Sequence, residues 1–459
     1  MSRLLWAPQA WVDGRWQDQV LLEVDGAGCW ARIVADQPCP PHAERLAGPG
    51  LPGLVDAHSH AFQRAFAGLS ERREQDSDDF WSWRDRMYRV AGQVSVDEVR
   101  DIATHLFHEL IEGGYTQVCE FHYLQHQADG QPHADPLAMA WALRDSARAS
   151  GIGLTLLPVL YERAGFRHGA LRPDQARFRL GADEVWSASQ RLRTQADARF
   201  DAGLAIHSLR GAAPESIHRL AHLAAGWSGA IHIHVAEQTG EVDDCLAATG
   251  RRPIEWLLHE QLLDARWQLV HATHATPAEV AGVAASGAGV VICPGTEADL
   301  GDGLTDLSAW LAAGVPVAVG SDSQVTRDWR EELRWLEWGQ RLARRQRNLA
   351  ADPARSQPAT AARLFEAARQ AGAAAAGLPA WGLTPGARAD LLVMAADDPA
   401  LTGIPASHRL DALVFSAPTR PWRDVMVAGT WVRQSNHQPG REAAAERLAA
   451  VMQRLWQSV

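Results

Sequence analysis

Residues 51–60 read LPGLVDAHSH, and this stretch decides how the remainder of the chain is read. Pro52 and Gly53 punctuate the start of a short apolar run, Leu54-Val55, which ends in Asp56-Ala57-His58-Ser59-His60. Such a run between breakers predicts a short buried strand. In an extended segment, residues i and i+2 project to one face, so His58 and His60 aim together at a point beyond the strand end. Two converging imidazoles make half of a divalent-metal site, or else a hydrogen-bonded pair at a turn.

Working outward, the same motif of apolar run and polar end recurs. The predicted strands are 54–58, 116–121, 154–160, 204–208, 230–237, 268–273, 290–293 and 315–322. Between them lie segments with helical apolar spacing, among them EVRDIATHLFHELIEGG (98–114) and EELRWLEWGQRLARR (331–345). Strand–helix alternation implies parallel strands joined by right-handed crossovers, and eight of them suffice to close a (β/α)8 barrel. A doubly wound open sheet is the competing architecture. Residues 1–50 alternate apolar and polar around Asp13-Gly14 and Asp25-Gly26, and 386–393 and 425–432 read as strand, turn, strand. The expected organisation is a small β-sandwich domain formed by both chain ends (1–50 and 380–435), a catalytic barrel over 51–379, and a C-terminal helix over 436–459.

Composition excludes several functions. The net charge of -11 argues against nucleic acid or an anionic membrane as partner. No apolar run is long enough to span a bilayer and no signal-peptide pattern opens the chain, so a cytoplasmic location is expected. The five cysteines (29, 39, 119, 245 and 293) are scattered and form no CxxC, as in reduced thiols. All 44 basic residues are arginine. The absence of lysine excludes Schiff-base, P-loop and carbamylated-lysine chemistry.

Polar residues gather at the C-terminal ends of the predicted strands, where barrels of this type carry active sites. They are His58/His60, Glu120/His122, His207/Arg210, His234/Glu237, His271/His274 and Asp322. His234 is a candidate ligand, with Glu237 placed as an acid/base group beside the metal. His232 reads better as a core histidine. Asp322 ends the last strand and suits either a metal ligand or a helix N-cap. His271 could ligate, orient the attacking water or fill the core, and the water role is assigned to it. His274 stays open.

Taken together, His58-x-His60, His234-x-x-Glu237, His271 and Asp322 resemble the amidohydrolase superfamily, in its deaminase branch. The resemblance spans nearly the whole chain. It implies one divalent metal, zinc first, held by His58, His60, His234 and Asp322. The missing lysine agrees with a mononuclear site. HSHAFQRAFAGL, DDFWSWRDRMYR, EFHYLQH, GIGLTLLPVLY, HSLR, HIHVAEQTGEVDDC and TEADLGDG carry a closer resemblance, to the formimidoylglutamate deiminases of histidine degradation. That family hydrolyses an N-formimidoyl group on glutamate to N-formyl and ammonia. One departure is Gln324, where many relatives carry a histidine.

The implied catalytic residues are Glu237, His271 and Asp322. An anionic dicarboxylate substrate on an acidic protein needs local cations. Arg84 and Arg210 are the candidates, Arg64 a third, with Gln63, Tyr123 and His207 as hydrogen-bonding wall. The expected partners are this small molecule and a second copy of the chain in a homodimer. The alternatives are a purine or pyrimidine deaminase on the same metal core, and a non-catalytic scaffold on the same fold.

Overall fold

The computed structural model of the protein describes residues 3–73 and 79–457. Asp78, at the start of the DDFWSWR stretch, and the outermost residues of both terminal segments lie outside them.

The eight expected barrel strands are present: β1 Leu54–Ser59, β2 Tyr115–His122, β3 Gly153–Leu160, β4 Leu204–Ile206, β5 Ile231–Val235, β6 Trp267–His271, β7 Gly289–Ile292 and β8 Val317–Val319. Neighbours pair in parallel from β1 round to β8, with Phe200–Ala202 as an extra strand on β3. Every residue of these eight strands is buried, as expected for strands covered on both faces. The ring is closed by the residues that carry the site. The Asp322 N–H donates to the His58 carbonyl (2.9 Å) and the His60 N–H to the Asp322 carbonyl (3.1 Å). Gly320 allows this approach, since a Cβ there would lie 2.8 Å from backbone atoms of His58.

The chain ends form a second sheet, in the order Thr430–Arg433, Trp422–Val427, Leu391–Met394, Gly50–Leu51, Arg3–Val12, Arg15–Val24 and Trp30–Val34. Val12 pairs with Arg15 across Asp13-Gly14, both at positive φ, as a two-residue hairpin turn demands. This sheet has its own core of Leu5, Val20, Leu22, Trp30, Leu391 and Met426.

Two helices matter for the site. Phe80–Ala91 starts at a capping box in which the Asp79 side chain accepts from the Trp81 and Ser82 N–H groups. The C-terminal helix Arg441–Trp456 packs on this chain's own barrel, against Val96–Glu112, through Arg447–Asp101 (2.8 Å), Arg441–Glu112 and Arg454–Glu98. Trp456 stacks on Phe66, whose other neighbour is Trp83 of the Phe80 helix. No helix among the described residues is long and apolar enough to cross a membrane.

Candidate active site

The four expected ligands converge although they come from three strand ends. Donor atoms of His58, His60 and His234 lie within 4.8 Å of one another. Asp322 Oδ1 lies 3.5 Å from Nε2 of both His58 and His60. Backbone carbonyls fix two of the imidazoles. His60 Nδ1–H donates to Phe121 (2.8 Å) and His234 Nδ1–H to the His207 carbonyl (2.9 Å). A carbonyl only accepts, so in the neutral rings Nε2 is bare and faces the common centre.

That geometry tests whether a metal fits. His58 Nε2 and His234 Nε2 stand 3.0 Å apart, and two lone pairs meeting there need a shared cation or a proton. Ligands about 2.0–2.1 Å from a tetrahedral zinc would lie about 3.4 Å apart, close to the spacings seen. Burial pushes the His58 imidazole down to about 3 and those of His60 and His234 below their usual value, so all three stay neutral, as ligands must. Burial alone would raise the Asp322 carboxyl, but the imidazoles around it, His58 foremost, outweigh this and hold it well below the carboxylate range. Three imidazoles and one carboxylate fit a single divalent transition metal.

Glu237 and His271 stand beside this centre. His271 Nε2 is 3.6 Å from Glu237 Oε1 and 3.7 Å from Asp322 Oδ2. Its Nδ1 faces Glu297 Oε1 at 3.2 Å. Burial opposes the charged imidazole, but Glu237, Glu297 and Asp322 outweigh it and raise His271 to about 10. Burial raises Glu237 to about 7, with the His271 charge opposing it. The backbone serves this placement. Ala236, His271 and Asp322 have positive φ, at 51°, 66° and 48°, so the chain turns sharply as it leaves β5, β6 and β8.

Behind the ligands runs a buried polar chain. Asp56 Oδ2 lies 2.5 Å from Ser321 Oγ, which lies 3.0 Å from Gln324 Oε1. The Gln324 amide donates to Ser59 Oγ (3.1 Å) and the Asp322 carbonyl (2.8 Å), and Ser59 Oγ–H donates to Glu120 (2.6 Å). Gln324 therefore ties the Asp322 turn to the strand bearing both histidines.

Gln63, Arg84, Tyr123, His207 and Arg210 all line the cavity above the centre, with Phe80, Trp83, Met87 and Tyr88. Gln63 donates to the Tyr123 hydroxyl (3.1 Å), and His207 stacks on Tyr161 with centroids 4.0 Å apart. Arg84 lies 4.5 Å from the Trp81 ring centroid and Arg210 5.3 Å from it. Arg210 has no carboxylate within ion-pair distance among the described residues, and Arg84 has only exposed Asp85 at 3.9 Å.

Other candidates lie elsewhere. Arg64 grips Glu109 through Nε (2.6 Å) and Nη2 (3.1 Å) and does not line the cavity. His232 Nε2–H donates to the Ala375 carbonyl (2.8 Å), as a core histidine would. His274 and His122 are not cavity-lining. Sequence reasoning missed Glu297, Asp302, Tyr88 and Tyr161. All four lie in stretches quoted for the resemblance (TEADLGDG, DDFWSWRDRMYR and GIGLTLLPVLY), which assigned them no role.

Comparison with known proteins settles the family. The amidohydrolase family profile matches residues 51–432. The chain belongs to the amidohydrolase family. This amidohydrolase is 44% identical to a formimidoylglutamate deiminase of Pseudomonas aeruginosa, over 98% of each chain. It is 26% identical to a 5-methylthioadenosine/S-adenosylhomocysteine deaminase of Haloarcula marismortui, covering 88% of this chain and 87% of that one. The crystal structure of an amidohydrolase from Brucella melitensis superposes with a TM-score of 0.92 at 35% identity, covering 99% of both chains.

Proposed function

We propose that this amidohydrolase hydrolyses N-formimidoyl-L-glutamate to N-formyl-L-glutamate and ammonia, as a step of histidine degradation. The observation that carries the reading is the pair Arg84 and Arg210. Aromatic faces hold both guanidinium groups in the cavity wall, and among the described residues Arg210 has no carboxylate within ion-pair distance while Arg84 has only exposed Asp85 at 3.9 Å. A substrate with two carboxylates supplies those partners, whereas a neutral purine or pyrimidine does not. The 44% identity to a protein named for this reaction supports the same substrate.

His58, His60, His234 and Asp322 would hold one divalent cation, for which zinc is the first choice. Bound there, it supplies a water whose pKa falls from about 15.7 towards about 7. Asp322 accepts a proton from the attacking water as the water oxygen bonds to the formimidoyl carbon. His271, aligned by Glu297, orients the water and stabilises negative charge on its oxygen. Glu237 gives its proton to the imino nitrogen, regains one from the hydroxyl on the tetrahedral carbon as the C=O forms, and passes it to the same nitrogen as the C–N bond breaks; the proton held by Asp322 then restores Glu237. Ammonia departs and the carbon keeps the water oxygen as a formyl group. Arg84 and Arg210 receive the carboxylates as planar forks, with Gln63, Tyr123 and His207 completing the wall.

A cytoplasmic location agrees with five free cysteines. A homodimer has support in the helix Trp329–Arg344, which exposes Trp335, Trp338 and Leu342 beside exposed Leu304. The deciding experiment measures ammonia release from formimidoylglutamate, guanine, cytosine and adenosine. Release from the first alone is expected, and none from it would end the assignment.

A further inference from the structure

A second set of donors lies next to the four-ligand centre. Glu237, His271 and Asp302 each offer an atom within 4.8 Å of the others, and all three side chains are buried. The Nδ1–Glu297 contact leaves His271 Nε2 directed at Glu237. Asp302 is anchored by its N–H to the Glu297 carbonyl (2.9 Å), and its Oδ1 takes the Gln238 amide. Its Oδ2 has no hydrogen-bond partner among the described residues, although the residue is only 4% exposed.

The surrounding carboxylates favour a cation there as well. Asp322, Glu237, Glu297 and Asp302 crowd one imidazole, and no arginine forms an ion pair with any of the four among the described residues. A buried carboxylate without a partner is costly, and a cation is the direct remedy.

We propose that Glu237, His271 and Asp302 form a second divalent-cation site, and that its occupation switches the enzyme off. One imidazole and two carboxylates suit zinc or copper over magnesium, which favours an all-oxygen shell. A cation there takes the acid and the orienting imidazole out of the reaction. Because Glu237 and His271 also line the cavity, substrate and the second cation exclude one another. The inhibition rests on the roles proposed above for Glu237 and His271, but the binding site does not.

The test starts from enzyme carrying one equivalent of zinc and adds zinc chloride in excess. Equilibrium dialysis should find a second equivalent on the wild type, with turnover falling as it binds and saturating substrate protecting. Asp302→Asn should weaken the second site about 10- to 100-fold, as loss of a metal-supporting group typically does. The zinc concentration that halves each enzyme's own rate should rise by the same factor. Glu237→Gln, read by metal count alone, should also lose the second equivalent and keep the first. A wild type that binds one equivalent only overturns the proposal, as does a second equivalent held equally well by both variants. Second binding without inhibition would keep the site and sink the catalytic roles of Glu237 and His271.

Discussion

The floor and the wall of the cavity hold their functional groups by different means. The floor is borne on strands. His58 and His60 leave β1, His234 lies on β5, and Asp322 follows β8 with its backbone bonded to both His58 and His60. The wall is borne largely on the helix Phe80–Ala91, where Trp81 and Tyr88 hold Arg84 through ring faces. Barrel closure fixes the first set to within hydrogen-bond tolerances, while side-chain packing alone places the second. The proposed metal chemistry would sit on the part tied by backbone hydrogen bonds, and the proposed recognition on the part placed by side chains.

The largest effect should follow from breaking the floor. Asp322→Ala or His234→Ala removes a ligand and should reduce turnover to background, with metal content falling in parallel. A chelator should do the same to the wild type, and restored metal should rescue only the wild type. Glu237→Gln is the sharper probe, because it spares the four ligands. Metal content should stay at one equivalent while the rate falls about 10²- to 10⁴-fold, the usual share of a general acid–base group. Full activity in Glu237→Gln would show that the floor works without that proton transfer.

Breaking the wall should cost less and show in a different constant. Arg84→Met and Arg210→Met should each lose about 1.5–3 kcal/mol, as for hydrogen bonds to a charged group. Most of it should appear as a raised KM for formimidoylglutamate, with the metal still bound. If KM does not move, the carboxylates are held elsewhere and the contrast between floor and wall fails.

The floor was legible in the sequence because strands have a rigid period. His58-x-His60 follows the two-residue repeat, and the barrel rim gathers whatever stands at strand ends. Glu237 breaks that repeat, three residues beyond His234. Ala236, at φ 51°, provides the turn that makes the spacing work, and nothing in an alanine announces it. Asp302 and Glu297 sit on a loop and a short helix after β7, where no periodicity applies. The wall gave the weakest signal of all. An arginine on a helix reads alike whether it faces solvent, a carboxylate or a ligand, so Arg84 and Arg64 could not be told apart by pattern. Tyr88 and Tyr161, two of the four tyrosines, meet hydroxyl to hydroxyl at 3.1 Å from segments far apart in the chain.

Arg64 offers the smallest and most selective test, because it is the arginine that stays out of the wall. Its partner Glu109 is only partly exposed, and that burial favours the neutral acid. Hydrogen bonds from His105 and Arg64, with the charge of Arg327, overcome this and hold the carboxyl below its ordinary 4.5. A depressed carboxyl stabilises the fold above 4.5 and loses that contribution as the pH falls and the unfolded chain takes up the proton first. His108 nearby is pushed down by burial from 6.5 to about 4, so its share fades earlier, between those values. Each of these two groups should therefore lower the wild-type Tm on acidification, His108 first, below 6.5, and Glu109 second, below 4.5. Arg64→Met should be about 1–3 kcal/mol less stable at pH 7. It should keep the first stage, flatten the second, and leave KM for formimidoylglutamate where it was. A raised KM in Arg64→Met would return that residue to the substrate and erase the distinction between structural and binding arginines.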